Sequence, residues 1–284
     1  MRHADLYKVS VVIPAYGRHD MVGALLSDLA AEKSHTAQVT VLDNRGDLTF
    51  ESGPNFTVLK SPTNLRWIGS VNWAIGNAIA KGFDVVVVLN SDIRLSLRFV
   101  HEISLAAVIN EGVAVAAPCY DDFWPHQHAT ATPACARDYR PVQAVRKVPF
   151  CDGTAIAFNV TAAADIGPLD NTNFNWHGYG ADLDYSIRAR RRGYRVIVTE
   201  SCFVSHARRA SMEDSGQSEQ DAVAEVETGM AAKHGPGWRI LLGLDEAALR
   251  TPSEPVQRSG WYLSPGDNSL EALRPSWSAG IRGD

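Results

Sequence analysis

Asp84-Val85-Val86-Val87-Val88-Leu89, followed directly by Asn90-Ser91-Asp92, is the most informative stretch of this sequence. Four consecutive valines leave no polar alternation, and a strand of this kind is buried on both faces, as the central strands of parallel sheets are. The polar residues after Leu89 are typical of the turn that ends such a strand. The stretch therefore predicts a parallel sheet with helices packed on both sides.

The segments around this strand alternate between strand-like and helix-like patterns. Short apolar strands are predicted at 9–13, 39–42, 56–59 and 113–117. Helices with one apolar face are predicted at 19–32, 68–81 and 96–110, and Ser96 is expected to cap the last of these. Alternation at this spacing is typical of βαβ units on a parallel sheet.

The second half of the chain is less regular. A long connection over 118–141 precedes predicted strands at 145–151, 154–158, 195–198 and 202–204. Helices are predicted at 181–192 and 217–233, and a segment rich in Gly, Pro and Ser begins at Gly260. The overall prediction is an α/β domain followed by a helical C-terminal extension.

Composition narrows the class of protein. The 284 residues are 45% hydrophobic and 21% charged, and the net charge of −5 argues against sequence-independent binding of nucleic acid. No apolar run approaches the ~20 residues of a membrane-spanning helix, and residues 1–8 lack the apolar core of a signal peptide. Four scattered cysteines without a C-x-x-C motif favour a reducing compartment. We therefore expect a cytoplasmic protein with no integral membrane segment.

Two carboxylates fall where ligands bind in open α/β sheets, which is outside the carboxyl ends of the strands. Asp43 follows the second predicted strand and Asp92 follows the four-valine strand. Carboxylate oxygens suit Mg²⁺ or Mn²⁺, which often also hold substrate phosphates. The spacing alone is equally compatible with both residues capping turns. The absence of G-x-G-x-x-G, P-loop and G-x-S-x-G motifs argues against three common alternatives.

Six short motifs occur in an order that resembles one enzyme family. They are Val9–Tyr16 (VSVVIPAY), Val41–Asn44 (VLDN), Asn64–Asn72 (NLRWIGSVN), Leu89–Asp92 (LNSD), Gly180–Arg188 (GADLDYSIR) and Ser205-His206. The set resembles the inverting glycosyltransferase family 2, over roughly residues 8–210.

The resemblance implies the GT-A fold, a Rossmann-like nucleotide-binding sheet that is mainly parallel, with helices on both faces. It divides the chain into a catalytic domain (1–210) and an extension with a tail (211–284). Within that domain, 8–117 would bind the nucleotide sugar and 118–210 would face the acceptor.

The resemblance also implies a reaction. A sugar would move from a UDP- or dTDP-sugar to an acceptor hydroxyl, with Mg²⁺ or Mn²⁺ stabilising the leaving diphosphate. Asp182 would be the general base that takes the proton of the attacking hydroxyl. Asp92 and His206 would bind the metal. The other implied partner is a small soluble acceptor, and homodimer formation is left open.

The donor and acceptor contacts follow residue by residue from the same resemblance. The implied donor-binding positions are Pro14, Ala15, Tyr16, Arg18, Asp43, Arg66, Asn72, Asn90, Ser91, Asp92, Asp152 and Gly153. Among them, Asp43 would accept a hydrogen bond from the pyrimidine, and Asp152 and Gly153 would face the donor sugar. Trp176 and His177 are the expected acceptor contacts.

Three positions depart from the family pattern. Ala181 stands where a Glu usually precedes the base, and Asn90 replaces the first Asp of a D-x-D element. Arg66 replaces a usual glycine, so the loop before Trp67 is expected to take a less permissive backbone shape, unless Arg66 reaches the diphosphate. Asp184 lies on another helix face than Asp182 and is expected to pair with Arg188.

Two other functions remain open at this point. A nucleotidyltransferase also places a metal-binding Asp beside a nucleotide, but 15–18 is a poor version of its glycine-rich basic loop. A non-catalytic sugar-nucleotide-binding relative is the second alternative, and Ala181 is the residue that hints at it.

Overall fold

The four-valine stretch lies inside the sheet of the computed structural model, which describes residues 7–32, 37–120, 125–129, 131–174, 178–207 and 218–244. It forms β4 (Val85–Leu89), and all of its residues are buried. β4 pairs with a parallel strand on one side and an antiparallel strand on the other. Burying a valine side chain contributes roughly 1.5–3 kcal/mol, so this strand is a major source of stability.

The described residues form one nine-stranded sheet. Besides β4, the strands are β1 (Val9–Ala15), β2 (Ala37–Asp43), β3 (Phe56–Lys60), β5 (Ile93–Leu95), β6 (Val113–Tyr120), β7 (Val145–Lys147), β8 (Ala155–Asn159) and β9 (Arg195–His206). Their order is β3-β2-β1-β4-β8-β6-β9-β5, with β7 paired to β9. The β3–β4 side is entirely parallel, whereas β8, β5 and β7 run antiparallel to their neighbours.

Helices cover both faces of the sheet, as predicted. They are α1 (His19–Ala30), α2 (Arg66–Lys81), α3 (Phe99–Ile109), α4 (Val160–Ile166), α5 (Ala181–Arg191), α6 (Glu219–His234) and α7 (Trp238–Leu241). α1 and α3 pack on one face, and the other helices with buried residues pack on the opposite face. The short elements α4 and β5 were not predicted, because segments this short carry little periodicity.

Three sequence predictions about local structure are wrong. The strand expected at 145–151 ends at Lys147. The strands expected at 195–198 and 202–204 form one strand, β9, which continues across a register shift against β6. Ser96 does not cap α3, because its backbone N–H and side-chain hydroxyl bond Phe203 of β9 at 2.9 and 3.0 Å. The carboxylate of Glu32 instead accepts the N–H groups of Val100 and His101 at the start of α3.

The C-terminal helices pack on the same core as α2, α4 and α5. Met230, Trp238 and Leu242 are buried in that layer. The predicted domain boundary at 210 and the predicted tail from Gly260 lie outside the described residues. Within the described parts of the chain, no helix is both long and apolar enough to cross a membrane.

Candidate active site

The carboxyl ends of β1, β2 and β4 form one edge of the sheet, as predicted. Ala15 at the end of β1 lies beside Asp43 at the end of β2, and the N–H of Asn44 donates to the carbonyl of Ala15 at 2.9 Å. β4 ends on the other side of β1 and leads into Asp92. The two carboxylates proposed from the sequence therefore share this edge, separated by β1.

Asp43 is fully buried and holds its own loop together. Its carboxylate accepts the backbone N–H groups of Arg45, Gly46 and Leu48 at 3.3, 2.7 and 3.1 Å. A buried carboxylate needs such partners, because its desolvation is otherwise unfavourable. The loop carries Arg45, whose guanidinium lies 5.7 Å from the centre of the Tyr16 ring. Sequence reasoning did not identify Arg45, although its position right after the β2 motif was a usable signal.

Asn44 is a second residue that the sequence reasoning missed. It is buried, its amide donates to Ser70 Oγ at 3.0 Å, and its Oδ1 accepts the N–H of Leu65 at 3.2 Å. These bonds attach the end of β2 to the start of α2. The first residue of that helix, Arg66, has a φ of +57°. The expectation of a less permissive backbone shape is therefore wrong, since Arg66 adopts the left-handed backbone that a glycine would take freely.

The side chain of Asn72 binds the backbone of another segment of the chain. Its side chain forms two hydrogen bonds with the backbone of Leu169, donating to the carbonyl at 2.9 Å and accepting the N–H at 2.8 Å. Both ends of the amide are thus used to attach α2 to the segment after α4. Arg18 also has a positive φ, of 50°, and its side chain lies 3.5 Å from that of Asp20.

Asp92 and His206 are brought together by the pairing of two short strands. β5 runs antiparallel to the end of β9 with Ile93 opposite His206, and Ala207 N–H donates to the carbonyl of Asp92 at 2.9 Å. His206 Nε2 then lies 3.3 Å from Asp92 Oδ1. A cavity of about 360 Å³ opens beside the pair, lined by the start of α1, β5 and the end of β9. Among the described residues, no third His, Cys, Asp or Glu completes a metal-binding cluster.

Asp182 lies in the first turn of α5 and is held by backbone donors. Its two oxygens accept the N–H groups of Gly153 and Leu183, each at 2.8 Å. Burial and, as the second cause, the nearby negative charge of Asp152 together raise the pKa of Asp182 from its ordinary value of 3.8 to about 7. A carboxylate that titrates near neutral pH is well matched to general-base chemistry.

Hydrogen bonds connect Asp182 to the edge that carries Asp92. The carboxylate of Asp152 accepts the N–H and the hydroxyl of Thr154, and the carbonyl of Thr154 accepts the N–H of Asn90 at 2.9 Å. Because Asn90 and the buried Ser91 precede Asp92 directly, these hydrogen bonds link the segment that holds the base to the segment that carries the carboxylate–histidine pair. The structure thus brings together most of the residues predicted after β4 and around Asp152.

Asp184 turns away from this site, as predicted. It is fully buried and binds Arg188 Nε at 2.8 Å. It also binds Lys233 Nζ at 3.0 Å and His234 Nε2 at 2.9 Å, both from α6. The predicted acceptor residues Trp176 and His177 lie outside the described residues.

Sequence comparison identifies relatives of this chain. No protein-family model matches it. It is 30% identical over 248 residues to the uncharacterized proteins Rv1525 of Mycobacterium tuberculosis and Mb1552 of Mycobacterium bovis, covering 85% of this chain and 90% of each relative. The chain belongs to the same family as these mycobacterial proteins.

Comparison with solved structures places the chain by fold. GalNAc-T7 with UDP, GalNAc and Mn²⁺ matches 70% of this chain and 43% of its own length, with a TM-score of 0.52 and 13% identity. The mannosyltransferase PcManGT of Pyrobaculum calidifontis, with GDP-Man and Mn²⁺, matches 98% of this chain and 81% of its own, with a TM-score of 0.52 and 15% identity. TarS of S. aureus with UDP-GlcNAc matches 83% of this chain and 70% of its own, with a TM-score of 0.53 and 15% identity. The chain has the GT-A fold of these glycosyltransferases.

Proposed function

We propose that this protein is an inverting glycosyltransferase that moves a sugar from a UDP- or dTDP-sugar to an acceptor hydroxyl. One observation carries the proposal: a carboxylate with a pKa of about 7, Asp182, is linked through Gly153, Thr154 and Asn90 to the Asp92–His206 pair. A base and a candidate metal pair on one sheet edge are what such a transfer needs. The nucleotides and nucleotide sugars bound by GalNAc-T7, PcManGT and TarS support the donor class.

Asp92 and His206 are the residues that would hold a divalent cation. One carboxylate oxygen and one imidazole nitrogen, 3.3 Å apart and without a thiolate, form a donor set that suits Mn²⁺ or Mg²⁺ completed by phosphate oxygens. The bound cation would stabilise the negative charge that develops on the leaving diphosphate. The Mn²⁺ in GalNAc-T7 and PcManGT supports this choice.

The remaining chemistry falls to the chain itself. The ionised Asp182 takes the proton of the acceptor hydroxyl as that oxygen attacks the anomeric carbon. Gly153 and Leu183 hold the carboxylate in place through their N–H groups, so that it does not have to be ordered during the reaction. Attack from the side opposite the leaving diphosphate inverts the anomeric centre, and no covalent intermediate with the protein is needed.

Tyr16 and the 44–48 loop form the proposed nucleoside pocket. Asp43 shapes this loop from its buried position, and its direct contact with the pyrimidine remains a prediction. The acceptor is proposed to be a small soluble hydroxyl compound. A cytoplasmic location also remains a prediction, and the four cysteines, which are free thiols, fit a reducing compartment.

Thermal shift with defined nucleotides tests the proposal. We expect UDP or dTDP with Mn²⁺ to raise the Tm by about 5–10 °C at a hundredfold excess over Kd, because a ligand that binds only the folded state stabilises it by about 2.7 kcal/mol. Asp92→Asn should remove the metal-dependent part of this shift, whereas Asp165→Asn, at an exposed carboxylate, should not. Asp182→Asn should keep the shift and abolish sugar transfer.

Three results would contradict the proposal. The first is the absence of any metal-dependent shift with UDP, dTDP or GDP. The second is near-normal transfer by Asp182→Asn. The third is release of pyrophosphate from a nucleoside triphosphate and a sugar phosphate, which would indicate a nucleotidyltransferase instead.

A further inference from the structure

The indole of Trp67 lies against the backbone that holds the proposed base. Trp67 is the second residue of α2 and is partly buried. A Cβ placed on Gly153 would lie 2.3 Å from Cζ2 and 2.6 Å from Cη2 of the indole, so the ring occupies space that only a glycine leaves open. The N–H of the same Gly153 donates to Asp182 at 2.8 Å. Gly153 therefore contacts the indole and also binds the carboxylate of the proposed base.

A second glycine bounds the indole from the loop before α5. Gly178 has a φ of +81°, and a Cβ there would lie 3.5 Å from Trp67 Cβ and 3.6 Å from Cε3. This loop leads directly into the first turn of α5, which carries Asp182. The two backbone segments that present the base thus both lie close to the Trp67 side chain.

The backbone at the start of α2 is strained in a way that fixes this arrangement. Arg66 has a φ of +57°, a conformation that a residue with a Cβ rarely adopts and that costs free energy. Two hydrogen bonds hold it there: its N–H donates to Asn64 Oδ1 at 2.8 Å, and its carbonyl accepts from Ser70 Oγ. Strain of this kind persists where the surrounding structure imposes it, and it often marks a functional site. Here it directs the next residue, Trp67, onto Gly153.

We propose that Trp67 is the platform on which the transferred sugar stacks, and that it helps to determine which sugar is accepted. The inference rests on the proposed function and on the family resemblance, which implies that Asp152 and Gly153 face the donor sugar. The apolar C–H face of a pyranose packs well on an aromatic ring, while its hydroxyls remain for polar groups such as the Asp152 carboxylate. Since the backbone of Gly153 already packs against the indole, the ring binds the sugar with little loss of side-chain entropy.

Titration calorimetry separates the sugar from the nucleotide. In the presence of Mn²⁺, the full chain is titrated with UDP, UDP-glucose and UDP-GlcNAc, and the affinity ratio of sugar nucleotide to UDP is compared between variants. We expect Trp67→Ala to lower this ratio about tenfold while UDP affinity changes less than twofold. Trp67→Phe keeps a smaller aromatic face and should lower the ratio about threefold. Trp73→Ala is the matched control, because Trp73 packs on the core from the same helix.

The outcomes distinguish this inference from the function on which it rests. If wild-type protein binds neither UDP nor the sugar nucleotides, the proposed function is overturned, and the platform with it. If wild-type protein binds them and Trp67→Ala weakens UDP and sugar nucleotide equally, the platform alone is overturned. If Trp67→Ala does not fold, Trp67→Phe provides the test. An unchanged affinity ratio of sugar nucleotide to UDP in Trp67→Phe then overturns the platform. A ratio lowered as much by Trp73→Ala would show a general packing effect and would also reject the proposal.

Discussion

The replacement Asp152→Asn should lower the pKa of Asp182 and leave the local hydrogen bonds intact. Asp152 Oδ1 accepts both the N–H and the hydroxyl of Thr154, and an asparagine keeps an acceptor oxygen for these bonds. The substitution therefore removes one negative charge next to the base without changing the shape of the loop.

The size of the effect follows from the two causes of the raised pKa. Burial and the charge of Asp152 together raise the pKa of Asp182 from 3.8 to about 7, and burial is the larger of the two. The backbone N–H groups of Gly153 and Leu183, which donate to the carboxylate, lower the pKa and offset part of this rise. We expect the variant's pKa to be lower by about one pH unit, which corresponds to about 1.4 kcal/mol in the ionisation of Asp182.

Carbon NMR of the carboxyl groups measures this directly and needs no substrate. Protein labelled at the aspartate carboxyl carbon is titrated from about pH 4 to pH 9, and the Asp182 signal is identified by its absence in Asp182→Asn. Because the base must be ionised, transfer activity should rise with pH through about 7 in the wild type, and the same rise should occur about one pH unit lower in Asp152→Asn. The raised pKa also means that Asp182 contributes stability below pH 3.8 that is lost as the pH rises through about 7.

Two results would refute the reasoning. The first is a wild-type Asp182 signal that titrates at the ordinary carboxyl pKa. The second is a pKa that Asp152→Asn leaves unchanged. Asp165→Asn is the control, since Asp165 is an exposed carboxylate paired with Arg192 and should not affect Asp182.

Two further predictions concern stability. His234→Ala should lower the free energy of unfolding, measured in urea, by about 3 kcal/mol, because it removes a partner of the buried Asp184. Arg239→Ala is the control, since Arg239 forms an exposed pair with Glu227. A loss in His234→Ala no larger than the loss in Arg239→Ala would contradict the prediction. Arg66→Gly should raise the Tm measured by calorimetry by about 2–4 °C, because a glycine adopts the positive φ without the strain of about 1 kcal/mol. A lower Tm would contradict this and would show that contacts of the arginine side chain stabilise the fold by more than the backbone strain destabilises it.

The sheet edge was predictable because it depends on local patterns. Runs of buried β-branched residues gave β1, β2 and β4, and parallel pairing then placed Asp43 and Asp92 on the same edge. The pairing of Asp184 with Arg188 was predictable for a similar reason, since residues four apart on a helix face each other. In each case a short sequence window contains the interaction.

The contacts between distant segments could not be derived from such windows. The approach of His206 to Asp92 depends on a strand of three residues, and the residue was singled out only through the family resemblance. The attachment of Asn72 to Leu169 and the contact of Trp67 with Gly153 depend on how α2 packs. Tertiary packing of this kind overrides the local backbone preference of a residue. Arg66 is the clearest case, because it adopts a positive φ that residues other than glycine disfavour.

The ion cluster that joins α5 to α6 has a consequence for how this family can vary. The Asp184 carboxylate lies between Arg188 of its own helix and Lys233 and His234 of the other, and a change at 184 alone would leave the nearly fully buried His234 without its carboxylate. Substitutions at positions 184, 233 and 234 should therefore be inherited together among relatives. The sequence of α6 should therefore change together with that of α5 among relatives and not independently of it.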